Sequence, residues 1–154
     1  MVFLKYSLGC TVLICSAFHF SSPTLFDFLK KEHYILTNGF QEKTDLEKSI
    51  AKGKEVYTDF CMQCHLHNGK GDGKNFPPLD ASDWLAKKNN KSIHAVKFGQ
   101  SGEIVVNGKK FNNTMPPMGL SNQEVADVMN YIRNSWSNKN TEIITAQQVE
   151  AIKK

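Results

Sequence analysis

The five residues Cys61-Met62-Gln63-Cys64-His65 decide how the rest of the chain reads. Two cysteines at i and i+3 on a helical turn lie on one face. A histidine directly after the second is held beside both. Three ordinary readings of such a pair are weak here. A zinc site needs two further Cys or His ligands at compact spacing; His67 and His94 are at hand, but the chain has no second paired motif. A thioredoxin-like redox pair opens a helix after a strand, whereas the segment before Cys61 reads as helix and puts the pair at a helix's end. A structural disulfide across two residues would be strained.

The remaining reading is the C-x-x-C-H pattern of covalent haem attachment. Each thiol adds to one vinyl group of the same porphyrin, and His65 is held below the iron as an axial ligand. The rest of the chain suits that reading. Its 154 residues fit one domain plus a leader. Hydrophobic residues make up 40% and charged residues 22%, a folded body with a modest core. A net charge of +4 is too mild for nucleic-acid binding.

Lys5 is the only charge before Asp27, and Tyr6 to Phe20 is almost continuously apolar. That run is long enough for a signal segment and short for a membrane span. Residues 1–22 therefore read as a signal peptide or N-terminal anchor, with Ser16-Ala17 and Ser21-Ser22 as cleavage points. The expected location is export, to the periplasm or the outer face of the cytoplasmic membrane. Cys10 and Cys15 fall in the leader, so a mature chain keeps Cys61 and Cys64 alone. Residues 23–43 read as a linker; Leu25-Phe26-Asp27-Phe28-Leu29 is too apolar to be fully solvated and could rest on a membrane surface.

Thr44 to Phe60 reads as an amphipathic helix with Thr44 and Glu47 as a capping box. Leu46, Ile50, Gly53, Tyr57 and Phe60 recur at helical spacing. Gly53 costs about 1 kcal/mol relative to Ala, and a close helix crossing would explain it. Asn68 to Asn75 is a Gly- and Lys-rich loop. Pro77-Pro78-Leu79 is rigid and extended. Two short helices follow, over Ser82–Lys87 and Lys91–Phe98. Asn107-Gly108 marks a β-hairpin within 103–113. Ser121 and Glu124 cap the clearest helix, whose Val125, Val128, Met129, Ile132 and Trp136 form a core-facing stripe. Thr145 and Gln148 cap a short final helix in a tail over 138–154.

Residues of about 45 to 137 resemble class I monohaem cytochromes c. Gly53, Tyr57, Cys61, Cys64 and His65 match that family's N-terminal helix and haem-binding pattern. Val128 and Tyr131 match its C-terminal helix. The resemblance implies a mainly α fold: an orthogonal helix bundle around one haem over residues 44–137, with a small β-hairpin before the distal Met loop. It implies that the two helices cross near Gly53, with Tyr131 at the contact. It also implies that the carbonyl of Pro77 accepts a hydrogen bond from the ring of His65 and orients it.

Met115 and Met118 are both candidate distal thioethers. Polyproline geometry across Pro116-Pro117 separates their α-carbons by about 9 Å at 3.1 Å per residue, so only one sits over the iron. The family pattern places the ligand directly before the proline, which selects Met115 and leaves Met118 as packing; His94 is the main other donor. His65 and Met115 would then fill both axial sites of one covalent haem c iron. The resemblance implies a one-electron carrier and not an enzyme. Its redox partners would be an oxidase, a reductase or a quinoprotein dehydrogenase. The carrier is expected to be a monomer, with membrane association only through its N-terminus. The contrasting reading is a small haem enzyme or ligand sensor with a labile distal Met. Lys70, Lys74, Lys109 and Lys110 flank the motif and hairpin and read as solubilising charge; a docking patch would make association slow with salt.

Overall fold

Helix α1 (Asp45–Val56) begins where its first-turn N–H groups find a side-chain acceptor. Thr44 Oγ1 accepts from the Glu47 N–H at 3.2 Å, and the Glu47 carboxylate accepts from the Thr44 N–H at 2.7 Å. The computed structural model describes residues 44–87 and 89–154; the expected leader and linker lie outside them. From α1 the chain runs through a π turn (Tyr57–Cys61) into α2 (Met62–His65). After a loop come α3 (Asp83–Lys87) and α4 (Asn89–Phe98). A hairpin of β1 (Ile104–Val106) and β2 (Lys109–Phe111) precedes α5 (Asn122–Ile132) and α6 (Ala146–Ala151).

The hairpin pairs Ile104 with Phe111 and Val106 with Lys109. Asn107 and Gly108 both have positive φ, 50° and 77°, as a two-residue turn between twisted strands requires. That turn is also a docking point. Asn107 and Asp83 exchange reciprocal backbone-to-side-chain hydrogen bonds of 2.9 Å, and Trp84 Nε1 donates to the Val105 carbonyl at 2.8 Å. The hairpin is thereby fixed to the start of α3.

Helix α5 is the centre of the core. Val125, Val128, Met129 and Ile132 are buried as their stripe predicts. Ala126, Asp127 and Asn130 on its other faces are buried too, so the helix is surrounded. Its caps are the expected pair, Ser121 Oγ accepting from Glu124 N–H at 3.3 Å and the Glu124 carboxylate accepting from Ser121 N–H at 2.8 Å. The crossing of α1 and α5 explains Gly53. A Cβ there would lie 1.9 Å from the Asp127 carbonyl oxygen and 2.8 Å from Tyr131 Cβ. Beside this contact Tyr57 packs against Tyr131 and Trp136, with ring centroids 5.3 and 5.4 Å away.

Three features depart from the sequence reading. Trp136, expected on the core-facing stripe of the helix capped by Ser121, lies beyond that helix's end at Ile132 and has a φ of 57°. Phe60, expected on the buried stripe of α1, instead lines the cavity that Cys61, Cys64 and His65 also line. The π turn holds an extra residue and carries Phe60 off the stripe. Residues 138–154 carry the expected short helix but do not hang as a tail. Ile144 and Val149 belong to the main hydrophobic cluster. The side-chain amide of Asn130 brackets Ile144, donating to its carbonyl and accepting from its N–H, both at 2.8 Å. Lys97 reaches across from α4 to the carbonyls of Val149 and Ile152 at the end of α6. An Asn at position 130 and a Lys at position 97 look like surface residues in the sequence, so this docking was not legible there.

The Gly53 contact yields a direct test. Gly53→Ala should lower stability by about 3 kcal/mol, the upper part of the usual overpacking range, because backbone and not a flexible side chain stands in the way. Guanidinium unfolding of the whole protein measures it; a loss under about 0.5 kcal/mol would mean the helices do not approach this closely.

Candidate haem site

The sequence between Tyr57 and Leu79 folds so that its chemistry faces one cavity. The π turn closes with the Met62 N–H on the Tyr57 carbonyl. Such turns, rare in general, recur at functional sites. Here it brings Cys61, Cys64 and His65 onto the cavity wall. Leu66 then takes a φ of 62° and ends the helix, and Tyr57 Oη donates to its carbonyl at 2.6 Å. The chain doubles back through Gly69 and Gly71. A Cβ on Gly69 would strike the Trp136 ring at 2.5 Å, and one on Gly71 the Phe76 carbonyl at 2.2 Å. The Gly69 carbonyl accepts from the N–H groups of Leu79 and Asp80 at 2.7 and 2.9 Å. This loop returns Pro77 to the side of His65.

His65 is buried, and its Nδ1 lies 3.1 Å from the Pro77 carbonyl oxygen. A carbonyl only accepts, so Nδ1 carries the proton and Nε2 keeps a lone pair. Burial holds the imidazole below its ordinary pKa, and the bond to Pro77 opposes that shift in part. The ring is thus a neutral donor, the form a metal requires. Burial, and then the neighbouring Cys64, push the Cys61 thiol up to about 11. Catalytic redox pairs instead depress their thiol pKa, so the thioredoxin-like reading fails on chemistry as well as on position.

Met115 and Met118 line the same cavity. Met115 is held by its backbone. Its N–H donates to the Gln100 carbonyl at 2.8 Å, and its carbonyl accepts from the Gln100 N–H at 2.9 Å. Gly99 permits this approach, since a Cβ there would meet the Met115 carbonyl at 2.7 Å. His94 faces a separate groove beside α6 and packs edge-on against Phe98. His67 uses its carbonyl to accept from Trp136 Nε1 at 3.0 Å. His33 lies outside the described residues. Of the flanking lysines, Lys109 bonds the Gly73 carbonyl and Lys110 pairs with Glu103 at 3.0 Å.

The other walls come from α3 and α4 (Leu85, Ala95, Val96), the hairpin (Ile104, Val106, Phe111) and α5 (Val128, Met129, Ile132). Among the described residues no Asp, Glu, Lys or Arg lines the cavity, whose volume is about 1140 Å³ with its open mouth included. A large apolar cavity with two thiols and one neutral imidazole suits a flat apolar macrocycle bearing a metal. Sequence reasoning missed Phe60, Asn75, Gln100, Asn113 and Thr114, which also line it. Gln100 left no signal, because its tie to Met115 runs through the backbone.

Residues 50–136 match the family model described as cytochrome c. This chain belongs to the cytochrome c family. It is 32% identical over 112 residues to cytochrome c-552 of Thermus thermophilus, across 67% of this chain and 85% of that protein. It is 31% identical over 108 residues to the cytochrome c subunit of quinone alcohol dehydrogenase from Gluconobacter oxydans, across 66% of this chain and 22% of that subunit. It is 32% identical over 126 residues to the gluconate 2-dehydrogenase cytochrome c subunit of Pantoea cypripedii, across 75% of this chain and 28% of that subunit. The cytochrome fold, mostly helical with one two-stranded antiparallel hairpin, is the expected one. The cytochrome binds haem c covalently and transfers electrons through its iron. Among the described residues no helix is long and apolar enough to cross a membrane.

Attachment through Cys61 and Cys64 is tested by chemistry. Cys61→Ala/Cys64→Ala should yield protein whose haem is fully extracted by acid-acetone, while the parent keeps its colour. Haem retained by the double variant would place the covalent bonds elsewhere.

Proposed function

We propose that this cytochrome is an exported one-electron carrier whose iron is six-coordinate, with His65 and Met115 as axial ligands. The observation that carries the ligand assignment is the two-way backbone bridge between Gln100 and Met115. It anchors one thioether donor in the wall of the cavity that also holds the His65 ring. Met118 lies beyond Pro116-Pro117, is followed by the positive-φ Gly119, and has no such bridge among the hydrogen bonds that hold the loop. It serves as flexible packing.

The bound haem supplies a reversible one-electron couple, and methionine ligation raises its potential relative to two histidines. The chain's residues do the rest. Cys61 and Cys64 tether. The Pro77 carbonyl fixes the ring and proton of His65 and makes it a better donor. Leu85, Val106, Phe111 and Met129 keep water out. The tight crossing of α1 and α5 limits rearrangement between oxidation states. If His65 and Met115 both held the iron, oxygen or peroxide would find no open site, which favours a carrier over a haem enzyme or sensor.

The partners are redox enzymes: relatives of this chain are the cytochrome c subunits of an alcohol dehydrogenase and a gluconate 2-dehydrogenase and a subunit of a cbb3-type cytochrome c oxidase. The apolar run Tyr6–Phe20 supports export, to the periplasm or to the outer face of the membrane as an anchored monomer.

Met115→Ala should abolish the weak far-red charge-transfer band of methionine-ligated ferric haem and open the iron to carbon monoxide when reduced. Met118→Ala should keep the band. The opposite pattern would transfer the distal role to Met118.

A further inference from the structure

The loop that delivers Pro77 to His65 is organised around one exposed carboxylate. Asp72 Oδ1 accepts three successive backbone N–H groups, from Lys74 at 2.8 Å, Asn75 at 2.7 Å and Phe76 at 2.8 Å. Its Oδ2 accepts from the Asn75 side-chain amide at 2.9 Å. These bonds hold the carboxyl well below its usual range, led by the backbone N–H groups of Phe76 and Lys74. Beneath them the missing side chain of Gly71 lets the Phe76 carbonyl come so close that a Cβ would sit 2.2 Å from it and 2.9 Å from the Pro77 carbonyl. The last N–H that Asp72 fixes belongs to Phe76, directly before Pro77. Pro77 has no N–H of its own and a restricted φ. Its carbonyl is therefore held between two anchors, the Phe76 N–H on Asp72 before it and the Leu79 N–H on the Gly69 carbonyl after it.

We propose that Asp72 is a positioning residue for the haem iron: by fixing Lys74–Phe76 it sets the Pro77 carbonyl against His65 Nδ1 and so tunes the donor strength of that ligand. This rests on the His65-iron reading above. A firm Nδ1–H···O=C bond makes the imidazole a stronger donor and favours oxidised iron. Loosening it should raise the midpoint potential. Removing the carboxylate charge would raise it too, so the two effects need separating.

Asp72→Asn and Asp72→Ala separate them in the haem-loaded protein. Both lose the charge, but the amide oxygen of Asn still accepts the backbone N–H groups. Two quantities are read: the midpoint potential, and by NMR of the reduced protein the solvent exchange of the His65 ring N–H. Asp72→Ala should favour the reduced form at least threefold more than Asp72→Asn, and exchange that proton at least tenfold faster. Asp72→Asn should exchange it at the parent rate. If Asp72→Ala does not fold, Asp72→Ser, whose one hydroxyl serves fewer N–H groups, replaces it in the same comparison. Equal potentials and equal exchange in the two charge-matched variants would overturn the proposal. A rapidly exchanging His65 ring proton in the parent would instead overturn the underlying pairing of His65 with Pro77, whatever Asp72 does.

Discussion

The architecture hangs on the approach of α1 to the backbone of α5 at Gly53. No side chain separates the helix from the Asp127 carbonyl. Everything that α1 carries is aimed by that contact. Tyr57 lies one helical turn further on and wedges against Tyr131 and Trp136. Its hydroxyl reaches the Leu66 carbonyl and fixes the reversal after His65. The haem-binding turn is thus braced from both ends by a single aromatic residue, whose pKa burial raises well above the ordinary phenol value.

The same crossing buries polar groups that need partners. Ser49 Oγ donates to the Asp127 carboxylate at 2.5 Å and accepts from Asn130 Nδ2 at 2.9 Å. Asn130 passes the chain of bonds on to Ile144. Arg133 is buried at the end of α5 and reaches the Glu142 carbonyl and carboxylate. Unpaired, each of these groups would cost on the order of 1–3 kcal/mol. The bonds that Ser49, Asp127 and Asn130 share and pass on to Ile144 make the C-terminal segment part of the body, while Arg133 Nε stays buried without a partner among the described residues. The shared bonds also fix α5 against sliding, which matters because Val128, Met129 and Ile132 form one wall of the haem cavity.

Another part of the cavity lining is built from loops. Loops hold a shape only where their backbone groups are assigned. Between Gly69 and Ala81 this is done by glycines at positive φ, by the carbonyl of Gly69, and by carboxylates. Asp80 accepts from Ser137 N–H and Oγ, and Asn138 bonds the carbonyls of Leu79 and Ile132. The proximal loop is therefore laced to the end of α5, and the helix pair that orients His65 also orients Pro77.

The sequence by itself determined the chemistry and the element order. Cys61, Cys64 and His65 are adjacent, so their shared face follows from helical spacing. The three capping boxes and the Asn107-Gly108 turn are local patterns, and each stands where its residues put it. Gly53 was legible as a crossing because a glycine within an apolar helical stripe needs a reason. The tertiary structure alone decided what depends on distant backbone. The π turn that carries Phe60 off the α1 stripe has no residue signature. Gln100 meets Met115, and Lys97 meets α6, through main-chain carbonyls and amides that every sequence carries alike. Side-chain pattern reports which face of an element is apolar, whereas which carbonyl lies opposite which donor is settled only when the whole chain has packed.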